Sequence, residues 1–150
     1  MSYVLQLLYA TLGSLGFALL FNMPTRHLLP ASLGGLLTWG TYLLSAHLGA
    51  GLFLANFFAA VIGQLWAEIM ARTMKTPATL YYITAFIPLI PGSSLYHTME
   101  SAVGGNWTGL RSYGVQTLLV TLGIAAGITL IGGILYFIRK KPRHEPKTSR

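Results

Sequence analysis

The sequence predicts an all-α membrane protein of five transmembrane helices, the fourth of them broken. Three observations predict it. First, 53% of the 150 residues are hydrophobic and only 9% are charged, where a soluble domain carries about 25% charged residues. Second, five apolar stretches run over 3–21, 28–46, 49–71, 79–103 and 113–138, each near the roughly 20 residues a span needs. Third, the run Ile87-Pro88-Leu89-Ile90-Pro91-Gly92-Ser93-Ser94 sits inside the fourth stretch. Two prolines three apart, then glycine, break a regular helix, because each proline removes an N–H and clashes with the preceding turn.

The first stretch follows Met1-Ser2-Tyr3, which has no basic residue before the apolar run. A secretory signal normally has one, so this segment is expected to stay as a membrane helix. The second stretch is the most marginal, with a vague end. The connections, 22–27, 47–48, 72–78 and 104–112, are too short for a soluble domain. The expected organisation is a five-helix domain over 1–138 and a basic, disordered tail over 139–150. Orientation follows from the basic residues. With the C-terminus in the cytoplasm, Arg26, Arg72, Lys75 and the six basic residues of the tail lie inside and only Arg111 lies outside. The positive-inside rule then puts the N-terminus outside. Tyr81, Tyr82 and Tyr136 fall near the inner boundary and Trp107 and Tyr113 near the outer one.

The third helix carries two ridges at a spacing of four. Ala55, Ala59, Gly63, Ala67 and Ala71 form a small-residue seam suited to close helix approach. Beside it run Asn56, Ala60, Gln64, Glu68 and Arg72. Glu68 and Arg72 are placed for an i,i+4 ion pair, while Asn56 and Gln64 either bond across helices or line a hydrated path. In the fifth helix, Gly123-Ile-Ala-Ala-Gly127 and Gly132-Gly133 read as packing positions, as do Gly13, Gly16, Gly34 and Gly35.

The break carries the chemistry. Pro88 frees the carbonyl of Thr84 and Pro91 that of Ile87. The second half-helix starts near Gly92, with Ser93 or Ser94 as the expected N-cap. Its N-terminus points toward the membrane midplane, and its free N–H groups and dipole suit a carboxylate. The carbonyls opposite suit a cation or a proton-carrying water. Discontinuous helices of this kind build substrate sites in secondary transporters; a packed proline kink is the plainer alternative. His97 and Glu100, three apart on the second half-helix, are candidates for carrying a proton, followed by Glu68.

Other classes find little support. There is no cysteine, so disulfides and thiolate metal sites are excluded. His27, His47 and His144 are read as loop or tail residues, and the four histidines show no metal-ligand spacing. The net charge of +7 is concentrated in the tail and is no nucleic-acid face. Hydrolase, metalloprotease and nucleotide-binding motifs are absent, so no enzyme and no cofactor is expected. Asn106-Trp107-Thr108 matches a glycosylation sequon, meaningful only in a eukaryotic secretory pathway.

Two segments carry a family resemblance. Gly16-Phe17-Ala18-Leu19-Leu20-Phe21-Asn22-Met23-Pro24 looks like a first helix running into an Asn-x-Pro turn. Ile87 to Tyr96, followed by Met99 and Ala102, resembles the Pro-x-x-Pro-Gly signature of the threonine/serine exporter family. The likeness is to the C-terminal, five-helix half of that family, which in many bacteria is a separate small protein. It covers nearly the whole chain apart from the basic tail. The resemblance implies a multi-pass protein of the bacterial inner membrane and a larger partner subunit carrying the other half. It implies proton-driven export of threonine and serine, or of other small carboxylates including dicarboxylates such as succinate. On that reading Pro88, Pro91, Gly92, Ser93 and Ser94 hold the substrate, with Asn56 and Gln64 as further lining. A non-transporting scaffold subunit and a passive channel are the rivals.

Overall fold

The computed structural model describes residues 2–139, and among these it is entirely helical: α1 (Tyr3–Leu20), α2 (Thr25–His47), α3 (Leu52–Met74), α4 (Thr79–Phe86), α5 (Gly92–Val103) and α6 (Trp107–Arg139). A single 3-10 turn, Ile87–Leu89, follows α4. Apart from Arg139, the expected basic tail lies outside the described residues. Three helical segments, Tyr3–Leu20, Leu52–Met74 and Trp107–Ile138, are long and apolar enough to cross a membrane. The outward surface is apolar too: Leu8, Leu12, Leu20, Leu122 and Phe137 are all more than half exposed. The chain is a helical membrane protein.

Four helix ends close in the same way. Asn22, Gly49, Lys75 and Gly105 adopt positive φ, and the next N–H reaches five residues back. These bonds are Met23 to Ala18, Ala50 to Ser45, Thr76 to Ala71 and Asn106 to Ser101, at 2.9–3.1 Å. This left-handed C-terminal turn satisfies carbonyls that a helix otherwise leaves open. It also accounts for the Asn-x-Pro segment: Asn22 takes the left-handed position and Pro24 precedes the first turn of α2.

Helix starts move the expected boundaries. Asn106 Oδ1 accepts from the Gly109 N–H at 3.0 Å, so α6 begins at Trp107 rather than near 113, and Arg111 is helical. The sequon asparagine is thus a cap. At the other end of the bundle α2 begins at Thr25, and His27 belongs to its first turn instead of a loop. His27 is buried. The Arg26 Nε–H donates to His27 Nε2 at 2.9 Å, which places the imidazole proton on Nδ1, donated to Tyr81 Oη at 2.6 Å. The pair ties the start of α2 to α4. His47 is the last residue of α2, while His144 lies outside the described residues.

The middle of the fold is α3, which packs against α2, α4 and α6. Both of its ridges are seams. A Cβ on Gly63 would strike Thr38 of α2 and come within 2.6 Å of Phe86 of α4. A Cβ on Gly127 of α6 would lie 2.7 Å from the Phe57 carbonyl and 2.8 Å from the Ala60 Cβ. The Asn56–Ala60 ridge therefore faces α6, while the Ala59–Gly63 ridge faces α2 and α4. Gly34 and Gly35 are also close-approach positions, against Trp66 with Ala85 and against Ser14. Gly13, Gly16, Gly132 and Gly133 meet nothing within 4 Å, so these four are not close-approach positions within this chain.

Along α6 the partner changes. Gly109 approaches Ser101, and Thr117 lies 3.5 Å from Thr98, both on α5. From Gly123 onward α6 lies on α3, starting at Phe53 in its first turn. The start of α6 thus pairs with α5 beyond the end of α3.

Gly127→Ala is expected to destabilise the detergent-solubilised protein by about 1–3 kcal/mol, the usual overpacking penalty. Gly132→Ala, which meets open space, is expected to be neutral or stabilising, because alanine favours helix by about 0.5–1 kcal/mol. Thermal unfolding of both variants checks the contrast in sign.

Candidate functional site

The break is resolved atom by atom. After the 3-10 turn, Ile90 is extended at φ −60°, ψ 123°. Pro91 follows at φ −76°, ψ 54°, close to an inverse γ-turn. The Gly92 N–H accordingly donates to Ile90 O at 2.8 Å, and the Ile90 N–H donates to Ile87 O at 3.3 Å. The Ile87 carbonyl is therefore met by its own turn rather than left open for a cation.

The last turn of α4 is completed from another helix. Thr38 Oγ1, fully buried on α2, lies 2.6 Å from Ala85 O. It is 2.9 Å from Gly34 O and 3.1 Å from Gly35 O within its own helix. One hydroxyl proton serves the shortest contact best, so Thr38 donates to Ala85. Since Phe86 meets α3 at Gly63, the middle residue of α3 (52–74), α4 ends halfway along the bundle.

Neither serine is the N-cap of α5. Pro91 occupies that position, with no side-chain cap. Ser94 Oγ instead donates back to Pro91 O at 3.2 Å, and Ser93 is exposed. The first-turn N–H groups of Ser93 and Ser94 have no partner within the helix, as in any helix start.

These groups border a cavity of about 270 Å³. The break contributes Pro88, Pro91, Gly92, Ser93 and Ser94; α2 contributes Trp39 and Tyr42; α3 contributes Leu52 and Asn56; α6 contributes Tyr113 and Gln116. Trp39 and Tyr42 are stacked, with ring centroids 4.8 Å apart. Asn56 Nδ2 donates to Leu52 O within α3 at 2.8 Å. No charged side chain lines the cavity. Its polar equipment is neutral amides and hydroxyls at the start of a helix, so its field comes from dipoles. Its volume falls just below the roughly 300 Å³ where drug-sized pockets begin, which suits a small metabolite. The cavity also adjoins Leu52 in the first turn of α3, so α5 starts toward the N-terminal end of α3 rather than level with its middle.

The expected residues divide. Pro88, Pro91, Gly92, Ser93, Ser94 and Asn56 come together. Gln64 does not line the cavity; it is buried two turns further along α3, and its Oε1 has no hydrogen-bond partner. Glu68 pairs with Arg72 at 3.5 Å, as the spacing suggests. His97 Nδ1 and Glu100 Oε2 are 2.9 Å apart, and the His97 ring leans on Tyr113 at 5.0 Å. This pair thus touches a residue of the cavity wall without lining it. Thr38, Trp39, Tyr42, Tyr113 and Gln116 were missed by sequence reasoning. For the four that line the cavity the signal was helical spacing: Trp39 with Tyr42, and Tyr113 with Gln116, are three apart and share a face. Among the described residues no group of histidine and acidic side chains could hold a metal.

Thr38→Val keeps the shape and removes the donor to Ala85 O. It is expected to destabilise by about 1–3 kcal/mol, the range for a buried acceptor left unpaired. Thr38→Ser, which keeps the hydroxyl, should recover most of that loss in the same thermal unfolding measurement.

Comparison with known proteins adds a family. The family model described as "Threonine/Serine exporter, ThrE" matches residues 6–134. An uncharacterised protein of Haemophilus influenzae is 32% identical over 146 residues, covering 91% of this chain and 48% of that protein. The chain therefore spans about half the length of this curated relative. No solved structure matches.

Proposed function

The chain belongs to the threonine/serine exporter family, and on that premise we propose that it acts as the small subunit of a two-component secondary exporter of small carboxylate metabolites. The observation that carries the proposal is the cavity at the break. It brings a helix N-terminus, neutral donors and an aromatic wall to one small space. The substrate carboxylate sits at the first turn of α5, near Gly92, Ser93 and Ser94, with Asn56 opposite. No fixed positive charge holds it, so release is not opposed by a salt bridge. A carrier needs a site that lets go as well as binds.

The same reading assigns five membrane crossings, with α4, the break and α5 counted as one. The N-terminus lies outside and the C-terminus in the cytoplasm, supported by Arg26, Arg72 and Lys75 sharing one end of the bundle. The cavity then opens toward the outer side of the bacterial inner membrane. The access from the cytoplasm and the rest of the binding site come from a larger subunit carrying the other half of the family. A relative twice the length of this chain supports the need for that half. His97 and Glu100 are the proton-coupling pair, because the two are hydrogen-bonded and the His97 ring packs on Tyr113 of the cavity wall. Glu68, paired with Arg72, is the second candidate.

Gly92 separates site from scaffold. A Cβ there meets nothing within 4 Å, so Gly92→Ala is expected to keep export and Gly92→Leu, which fills the cavity, to abolish it while membrane insertion persists. Co-expression with the larger subunit, and efflux assays with threonine, serine and a dicarboxylate, read this out. Full export by Gly92→Leu, or by this chain alone, contradicts the proposal. Glu100→Gln is expected to flatten the dependence of efflux on the proton gradient by about tenfold. An unchanged dependence removes Glu100 from coupling.

A further inference from the structure

The start of α6 and the whole of α5 form a hairpin that stands beyond the end of α3. Gly123 of α6 lies level with Phe53 in the first turn of α3. Trp107, where α6 begins, lies about 24 Å further on at about 1.5 Å per residue. α5 runs back along this extension: Thr98 lies 3.5 Å from Thr117, and Gly109 approaches Ser101. α5 packs chiefly on α6, and Ser101 is its one buried residue. With 23 residues, α3 is itself about 35 Å long and takes up the roughly 30 Å of hydrocarbon. α5 starts toward the outer end of α3, and its 12 residues rise about 18 Å beyond that level. Most of α5 therefore stands outside the hydrocarbon.

Gly92, Tyr96, Met99 and Val103 fall on one line along α5 at helical spacing, on the side opposite Thr98 and Ser101. All four are exposed, Val103 to 92%. An apolar stripe outside the hydrocarbon is not covered by lipid tails. α5 runs lengthwise along α6 instead of lying flat, so the headgroup layer does not cover it either. Exposed apolar surface of this kind marks an interaction site. The stripe starts at Gly92, which borders the cavity at the break, and the cavity is open there, with Gly92 and Ser93 exposed. Whatever covers the stripe also meets the substrate site. The Haemophilus influenzae relative is matched over 48% of its length, so a second body of similar size accompanies this unit in that protein. We infer that the stripe Gly92–Tyr96–Met99–Val103 is the face on which the larger subunit docks. The stripe carries no charge, so the surface it receives is an apolar helix face. The inference rests on the two-component reading for the identity of the occupant, while its place rests on the geometry of α5.

Photo-crosslinking in membranes tests the face directly. Photoreactive benzoylphenylalanine is placed at Tyr96 or Met99, and for comparison at Leu8 or Leu12 of α1, which are also more than half exposed. An epitope-tagged larger subunit is co-expressed. Tyr96 and Met99 are expected to give adducts with the larger subunit in at least about fivefold higher yield than Leu8 and Leu12. Met99→Asp is expected to lower the larger subunit recovered with the chain by about tenfold. It should shift the thermal unfolding of the solubilised chain alone by no more than about 2 °C, because the stripe faces away from α6 and surface changes of this kind cost little. Should Met99→Asp fail to insert, Val103→Asp makes the same test. Adducts between two copies of this chain at Tyr96 and Met99 assign the face to self-association and overturn the inference. Equal yields from all four positions, or adducts with lipid alone, overturn it as well when the unmodified larger subunit still co-purifies. If the larger subunit does not co-purify at all, the two-component reading fails and the inference falls with it. If the adducts follow expectation while the complex exports none of the tested substrates, the docking face stands and the transport reading fails.

Discussion

In a bundle with no water at hand, a backbone carbonyl must be met by the protein itself. The end of α4 is where this requirement bites. Four other helices close their own ends with a left-handed residue and a bond reaching five residues back. The Pro88–Pro91 run denies α4 that solution, and the Ala85 carbonyl is met instead by Thr38 of α2. Much follows from this one bond. It requires α2 and α4 to approach closely at mid-bundle, which Gly34 beside Ala85 and Gly63 beside Thr38 and Phe86 permit. It fixes where the chain leaves the helix, and so where the cavity forms. It also sets Trp39, the next residue, against the break.

Packing elsewhere serves the same point. Where lipid is as apolar as the side chains, helices associate through close contact and not through the hydrophobic effect. α3 answers with small residues on two adjacent ridges, one seated on α2 and α4, the other on Gly123 and Gly127 of α6. The cavity lies where these seams run out, at the place where α6 exchanges α3 for α5. Its wall is not a gap left by poor packing. It is the point at which three close contacts diverge, furnished with amides, hydroxyls and stacked rings.

Sequence carried the element order well. Apolar length located the helices, and the two prolines located the break, because both signals are local. It also gathered most of the cavity's break residues, which are contiguous in the chain. It failed where the deciding partner is distant. Ser93 and Ser94 suggested a cap, yet Pro91 holds that position and Ser94 donates back to its carbonyl. Gln64 shares a ridge with Asn56, but the cavity is confined to the first turn of that ridge. Thr38 gives no sign of its role in sequence, since its acceptor is 47 residues away. His27 falls in the 22–27 connection when helices are bounded by apolar length alone, yet burial against Tyr81 holds it in a helix.

The length of α6 has a consequence of its own. Its 33 residues make a rod of about 50 Å at about 1.5 Å per residue. Fitting it wholly within a hydrocarbon layer about 30 Å thick would need a tilt of roughly 53°, beyond the range of about 0–40° that membrane helices show. At least one end of α6 therefore stands in the headgroup layer or in water. The Trp107 end is equipped for that: Trp107 is 79% exposed, as an anchor at a membrane surface would be, and Arg111 one turn on keeps its charge within reach of solvent.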